Sequence, residues 1–286
     1  MTLLDGKALS SKIKDEVKVE VEELIKEKNI TPGLAVILVG SDAASATYVA
    51  SKAKSCKNAG IHSEVHLKDE SITQDELLQI IQGMNENPAL DGILVQLPLP
   101  KHIDTTVILE AIDPLKDVDG FHPYNVGRMV SNLDSFLPAT PFGVMRMFEE
   151  YSITLKGKNV CVIGSSDIVG KPMASLLINA KATVTVCNSS TKDLKAQTLA
   201  SDIVVIAVGV PHLLTADMIK EGAVVIDVGI NRLDTGKLTG DADFESCKEK
   251  ASFITPVPGG VGPMTIGMLL KNTVKAAYLR EKRESK

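Results

Sequence analysis

A chain of 286 residues that is 44% hydrophobic and 23% charged has the composition of a soluble globular protein, with length for one large or two medium domains. A net charge of −5, an aromatic content of 3% and no Trp argue against a polyanion-binding surface of stacked aromatics and suit Val/Ile/Leu-rich parallel sheets. No apolar run approaches the ~18 residues of a membrane span, no signal-peptide pattern opens the chain, and Cys56, Cys161, Cys187 and Cys247 are too scattered for a disulfide or zinc framework, so a cytoplasmic protein with free thiols and no metal site is expected.

Residues from about 8 to 28 place Leu9, Ile13, Val17, Val21, Leu24 and Ile25 at helical spacing, which predicts an amphipathic helix with one buried stripe. The run Leu34 to Val39 reads as a buried strand. Gly40 breaks it, Ser41 or Asp42 can cap the helix that follows, and Gly60 ends that helix. Within the helix, Tyr48 and Lys52 are four residues apart and share a face near the carboxyl end of the strand, the edge at which open α/β sheets bind ligands. A desolvated lysine beside a phenol can act as general acid or base. The same spacing also occurs on ordinary helices, where the lysine stem lies over the ring and its charge stays in water.

A strand follows around residues 61 to 67, then a helix opened by a Thr73/Glu76 capping box and carrying Leu77, Leu78, Ile80 and Ile81. The strand from Gly92 delivers Gln96 at its carboxyl end, where Pro98 and Pro100 stop the strand and hold an extended loop; the amide can meet backbone or a ligand. After a short helix near 104 to 111 the chain reads as irregular and turn-rich to Pro141. Asp117 and Asp119 stand there beside Gly120, either as turn formers or as site residues.

A helix over 142 to 151 leads to a βαβ pattern: strand 159 to 163, the turn Gly164, Ser165, Ser166, Asp167, Ile168, Val169, Gly170, a helix, and a strand over 182 to 187. Such a turn faces a phosphate through the helix N-terminus. Ser166 replaces the middle glycine of G-x-G-x-x-G, so as a bare motif it is weak. The buried runs from Ile203 and from Ala223 continue a doubly wound pattern. Finally Thr255 to Thr265 holds three prolines and three glycines, a rigid loop that can approach a flat ligand closely or serve as a hinge, with Pro263 placed to start the last helix through Leu269, Leu270, Val274 and Leu279.

Taken together, Val39-Gly-Ser with Ser45 and Tyr48-Val-x-x-Lys52, Val95-Gln96-Leu-Pro-Leu-Pro100, Lys116-Asp-Val-Asp119-Gly120, Ile168-Val-Gly170-Lys-Pro172 and Pro256 to Thr265 resemble the bifunctional methylenetetrahydrofolate dehydrogenase/cyclohydrolase family over nearly the whole chain. The resemblance implies an α/β fold of two domains: a folate-binding catalytic domain over 1–138 plus 265–286, and a Rossmann-like, doubly wound dinucleotide-binding domain over 139–264. The C-terminal helix would return to the first domain. It implies a homodimer formed through the cofactor domain, with folate between the domains. It also implies two reactions, oxidation of 5,10-methylenetetrahydrofolate with a nicotinamide dinucleotide and hydrolysis of the methenyl product to 10-formyltetrahydrofolate.

By position in these motifs Lys52 would be the acid/base group, Tyr48 would pack on and orient the folate, and Asp119 would hold the pterin, with Pro258, Gly259 and Gly262 also on the substrate. Gln96 would tune Lys52 by donating its amide, which disfavours an ammonium. Gly164, Ser165, Ser166, Ile168, Val169, Gly170, Ser189, Ser190 and Ile230 would hold the dinucleotide. Members using NADP commonly carry arginine where this chain has Ser165, histidine where it has Asn188, and many have cysteine at Ala139. Loss of the arginine weakens the match to a 2′-phosphate. The second strand nonetheless ends without the carboxylate that selects NAD, and Ser189, Ser190, Thr191 and Lys192 can receive a phosphate, so NADP is expected with NAD left open. The alternatives are an NAD-dependent monofunctional methylenetetrahydrofolate dehydrogenase, a Rossmann dehydrogenase of another small metabolite, and a non-catalytic binding protein.

Overall fold

The computed structural model describes residues 1–284; the last two residues of the expected 265–286 segment lie outside them. In chain order the elements are β1 (Thr2–Leu3), α1 (Gly6–Lys28), β2 (Gly33–Val39), α2 (Ala43–Ala59), β3 (His62–Lys68), α3 (Gln74–Glu86), β4 (Gly92–Val95), α4 (Thr105–Glu110), α5 (Pro123–Val130) and α6 (Ala139–Glu150). There follow β5 (Asn159–Ile163), α7 (Gly170–Asn179), β6 (Thr183–Cys187), α8 (Leu194–Leu199), β7 (Ile203–Ile206), β8 (Val224–Asp227), β9 (Asn231–Arg232), β10 (Leu238–Thr239), α9 (Phe244–Cys247), β11 (Phe253–Ile254) and α10 (Val261–Glu284). They make two compact units. One holds residues 1–11, 129–133 and 138–265; the other holds 12–128, 134–137 and the chain from 266 onward.

The second unit is built on a parallel sheet of order β3-β2-β4. All seven residues of β2 are buried, as expected of a central strand covered on both faces. On one side Ala35, Ile37 and Val39 pack with Leu77 and Ile81 of α3, Ile93 and Val95 of β4, and Ile108 of α4. Each fully buried Ile or Leu there contributes about 1.5–3 kcal/mol of transfer free energy.

Residues Leu9, Ile13, Val17, Val21 and Leu24 of α1 are buried as the stripe predicts, but Ile25 is 41% exposed. At about 100° per residue it has rotated about 120° away from Ile13, off the buried face. The last helix joins this unit, as the resemblance implied. Asn272 Nδ2 donates to the carbonyls of Val118 (2.8 Å) and Leu137 (2.9 Å), and Lys271 Nζ meets Glu20 Oε1 on α1 at 2.5 Å.

The stretch expected to be irregular before Pro141 contains the helix α5. Pro123 occupies its first position, where a missing N–H costs nothing, and Asn125 and Met129 are buried from it. Gly127 and the asparagine inside the helix hid its periodicity. Just upstream, Ile93 and Asp117 form a parallel bridge, so the 116–117 segment runs beside β4 and brings Asp119 toward that strand's carboxyl end.

The other unit carries a parallel sheet of order β1-β11-β8-β7-β5-β6, the doubly wound pattern expected. The order in which successive strands are added reverses between β5 and β7, which makes the crevice at their carboxyl ends the topological switch point. Thr2 and Leu3 pair with Phe253 and Ile254 at one edge, a two-residue strand too short to show in the sequence pattern. The core includes Ile163, Val204, Ile206, Val225 and Ile254. It also brings Cys161 and Cys187 together on neighbouring strands, their Sγ atoms 3.7 Å apart and unbonded, although they are distant in sequence. The hairpin β9–β10 interrupts the chain directly after β8. Among the described residues no helix is long and apolar enough to cross a membrane.

Candidate active site

The helix α2 is fixed at both ends. Asp42 accepts the N–H of Ser45 at 2.7 Å as N-cap, and Gly60 closes the helix with φ 77°, a left-handed conformation that glycine adopts without strain. Between them Tyr48, Lys52 and Cys56 recur every four residues on one face. Tyr48 is 43% exposed, Lys52 only 7%, and Cys56 not at all, so the face runs from solvent into the core. Lys52 Nζ donates to Gln96 Oε1 at 2.9 Å, and Gln96 Nε2 donates to the Leu97 carbonyl at 2.8 Å.

This corrects the expected role of Gln96. Its NH₂ is committed to the Leu97 carbonyl, so its oxygen faces the lysine and accepts; it orients the amine and does not itself oppose the ammonium. Burial supplies that opposition. It lowers the Lys52 pKa, while the carboxylate of Asp119 pulls it partly back. Burial likewise pushes Asp119 up to about 6, with Lys52 drawing it down and Asp117 adding to the rise. A lysine and a carboxylate are thus both biased toward their neutral forms at one strand edge, the kind of arrangement that acid–base sites use.

Asp117 is buried and serves the backbone. It accepts the N–H groups of Phe121 (3.2 Å) and His122 (2.9 Å) and the Nδ2 of Asn125 (2.9 Å), which pins the loop that follows Asp119. Asn125, 2% exposed, also donates to the Pro114 carbonyl and accepts the Phe136 N–H. The turn-former reading therefore describes Asp117, and the half-buried Asp119 beside Lys52 is left as the carboxylate available to a ligand. The Asn125 contribution escaped sequence reasoning because it required knowing that α5 exists.

In the six-stranded unit the turn from Gly164 to Gly170 leaves β5 at the switch point. A Cβ on Gly170 would lie 2.1 Å from the Gly164 carbonyl oxygen, and Gly164 itself has φ 119°, so both glycines are required for the turn to close. Ser166 Oγ lies 3.3 and 3.4 Å from the N–H groups of Val169 and Gly170 at the start of α7. Ser165 and Val169 are half-buried; Ser166 and Ile168 are exposed.

After β6, Asn188 Oδ1 accepts the Ser190 N–H and Thr191 Oγ1 accepts the Asn188 N–H, making a compact turn that leaves Ser189, Ser190 and Lys192 exposed. The acid that follows, Asp193, is engaged by the Ala196 N–H as N-cap of α8. Hydroxyls and an ammonium thus stand where an NAD-selecting carboxylate would, and this donor set fits the 2′-phosphate of NADP. Ile230 is 45% exposed, and a Cβ on Gly262 would come within 3.1 Å of its Cδ1, so the isoleucine lies over that glycine. Gly259 (φ 110°) and Gly260 belong to the same loop, and their carbonyls face the start of α1: Lys7 N donates to Gly259 at 2.9 Å. Pro258 is exposed on this loop, and α10 begins at Val261, two residues before the expected Pro263.

Fold and geometry together define an α/β protein that joins a dinucleotide-type sheet to a unit bearing a desolvated lysine. Residues 4–119 match the tetrahydrofolate dehydrogenase/cyclohydrolase catalytic domain, and residues 138–281 match the NAD(P)-binding domain of the same family. The chain is 82% identical to the bifunctional protein FolD of Aliarcobacter butzleri, covering 100% of both. It resembles the crystal structure of the bifunctional FolD enzyme from Campylobacter jejuni with a TM-score of 0.96 and 56% identity, covering 98% of this chain and 99% of that one. The Trypanosoma brucei dehydrogenase-cyclohydrolase, solved in complex with NADP cofactor and an inhibitor, is similar at TM-score 0.93 and 39% identity, covering 100% and 99%. The chain belongs to the tetrahydrofolate dehydrogenase/cyclohydrolase family.

Proposed function

We propose that this chain oxidises 5,10-methylenetetrahydrofolate to 5,10-methenyltetrahydrofolate with NADP and hydrolyses the product to 10-formyltetrahydrofolate. The observation that carries the reading is Lys52, held by Gln96 in a buried position on the face it shares with Tyr48, within a chain of this family. Residues 1–138 plus 265–286 would supply the folate-binding part, and 139–264 the dinucleotide-binding part.

NADP, when bound, supplies the hydride acceptor for the methylene carbon. Ser165, Ser166, Ile168, Val169, Ser189, Ser190 and Ile230 would hold it, with Gly164 and Gly170 closing the turn beneath. Tyr48 offers an exposed ring on which the folate can lie, and Pro258, Gly259 and Gly262 would line the substrate from their loop. Asp119, ionised above about pH 6, offers two acceptor oxygens to the N–H edge of a pterin.

In the hydrolytic step water adds to the methenyl carbon. Neutral Lys52 takes the proton that this water loses. The adduct then breaks its bond to N5, the hydroxyl proton passes to N5, and the formyl group stays on N10. Gln96 keeps one amine N–H engaged, so the lone pair is directed away from the amide oxygen.

The same reading includes a homodimer joined through the cofactor unit; β6 is a free sheet edge there, with Val186 43% exposed. It also includes a cytoplasmic location, which four unbonded, buried cysteines suit. The testing experiment is the initial dehydrogenase rate on 5,10-methylenetetrahydrofolate with NADP and with NAD, alongside loss of the methenyl absorbance without dinucleotide. Both activities are expected, with NADP preferred. NAD preference would overturn the cofactor assignment, and absence of both activities would overturn the enzyme.

A further inference from the structure

Two buried carboxylates hold the loops that leave the six-stranded sheet after β7 and β8. Asp241 is fully buried. Its Oδ2 accepts the backbone N–H groups of Val208 (2.7 Å) and Gly209 (3.0 Å), and its Oδ1 accepts Asn231 Nδ2 (2.8 Å). Asp227, at the end of β8, accepts the N–H groups of Gly229 (2.9 Å) and Asp241 (3.0 Å) on Oδ1 and of Ala242 (2.8 Å) on Oδ2. Its own N–H donates to Thr255 Oγ1 at 2.7 Å, where the loop carrying Pro258 and Gly262 begins. Each carboxylate is matched by a glycine that makes room for it. A Cβ on Gly229 would lie 2.2 Å from Asp241 Cγ, and one on Gly240 would lie 1.9 Å from Asp227 Oδ2.

Burying two carboxylates side by side is costly unless their oxygens are satisfied, as they are here, each by hydrogen bonds. What the arrangement provides is a fixed backbone. The adjacent N–H groups of Val208 and Gly209, the latter at φ 69°, form a concave donor pair of the sort that binds anions, and Asp241 fills it from inside the protein. The loop is therefore held by a side chain of the protein itself. It also borders the switch point: a Cβ on Gly164 would lie 2.4 Å from the carbonyl oxygen of Ala207, the residue before this loop.

We propose that Asp241 is a positioning residue for the dinucleotide, holding Val208–Gly209 and, through Asp227, Gly229–Ile230 in the conformation that receives it. The proposal rests on the reading that this unit binds NADP for the dehydrogenase step. Hydrolysis of the methenyl compound consumes only water, so the chain carries its own internal control.

The experiment measures dehydrogenase KM for NADP, direct NADP binding by calorimetry, and cyclohydrolase rate without dinucleotide for Asp241→Ala and Asp241→Asn. Asp241→Ala strands two loop N–H groups and is expected to raise KM and Kd for NADP about 5- to 150-fold while the cyclohydrolase rate stays within about twofold. Asp241→Asn keeps an oxygen for both N–H groups, and Asn231 can turn its own oxygen toward the new NH₂, so it is expected to recover most of the affinity. If Asp241→Ala does not fold, Asp241→Asn carries the test, with a smaller rise in KM and an intact cyclohydrolase expected. Unchanged NADP affinity in folded Asp241→Ala, no rise in KM in Asp241→Asn where Asp241→Ala does not fold, or parallel loss of both activities would overturn the proposal. An unmutated chain that fails to bind NADP would instead overturn the reading on which it rests.

Discussion

Replacing Lys52 with methionine separates chemistry from binding. The thioether matches the lysine stem in length and fills the same buried volume, so Tyr48 and Asp119 keep their places. Only the amine is lost. A positioned acid/base group typically contributes 10²- to 10⁴-fold, so the cyclohydrolase kcat is expected to fall by about that factor while KM for the methenyl substrate changes by less than about threefold.

Stability supplies a second number. Gln96 Oε1 loses its 2.9 Å donor, which costs about 1–3 kcal/mol if no water replaces it. Against that, the unmutated fold carries the desolvation that lowers the Lys52 pKa. Between that lowered value and the ordinary one, the unfolded chain binds more protons than the folded one, so the Lys52 contribution to stability rises with pH across this window. Lys52→Met should therefore melt within a few degrees of the unmutated protein near neutrality and show a flatter rise in stability toward alkaline pH. The assays are loss of methenyl absorbance, appearance of reduced nicotinamide, and thermal melts across pH. Water addition at the unmutated rate would refute the assignment of Lys52, and an unfolded variant would refute the claim that methionine fits.

Other expectations test neighbouring parts of the argument. Ser165→Arg should tighten NADP more than NAD, by about 10- to 150-fold if a charge-assisted pair forms; equal changes in both affinities would show that this turn does not read the 2′-phosphate. As pH falls through about 6, Asp119 takes up a proton and loses acceptor capacity, so KM for folate should rise, and Asp119→Asn should abolish that dependence. Because its pKa is raised above 3.8, ionised Asp119 also lowers fold stability as pH rises from about 4 to about 6, a slope that calorimetry should find reduced in the same variant. Asp42→Ala removes the N-cap of α2 and should cost about 0.5–2 kcal/mol in chemical denaturation with both activities retained below the transition. An unchanged denaturation midpoint would show that Ser45 finds another partner.

The parts legible in the sequence were those governed by local rules. The capping box of Thr73 and Glu76, the Gly60 stop and the fully apolar β2 all depend on neighbours within a few residues, and all formed. Tyr48 and Lys52 were legible because a single helix fixes their spacing. What could not be read depended on distant partners. The orientation of Gln96 is decided by the Leu97 carbonyl, and the split between Asp117 and Asp119 is decided by α5, whose Gly127 disguised it. Asp227 did leave a trace, an acid ending an otherwise apolar strand, but its meaning lay in the backbone at Asp241 and Ala242. The two-residue β1 had no pattern of its own and exists only because β11 offers it an edge.

That edge has a consequence for the order in which the molecule can be assembled. Thr2 and Leu3 are separated by some 250 residues of chain from Phe253 and Ile254, the partners that are made after them. Conversely, the unit that holds Lys12–Arg128 lacks α10, with its Asn272 ties to Val118 and Leu137, until the whole of the six-stranded unit has been made. Neither unit is a contiguous piece of polypeptide, so a chain stopped near residue 138 would leave both unfinished. The central strands β2, β3 and β4 can pair as they emerge, whereas closure of each unit waits for a contact that spans most of the chain. Contacts of such sequence separation are slow to find, and here they tie β1 to β11 and α10 to Val118 and Leu137.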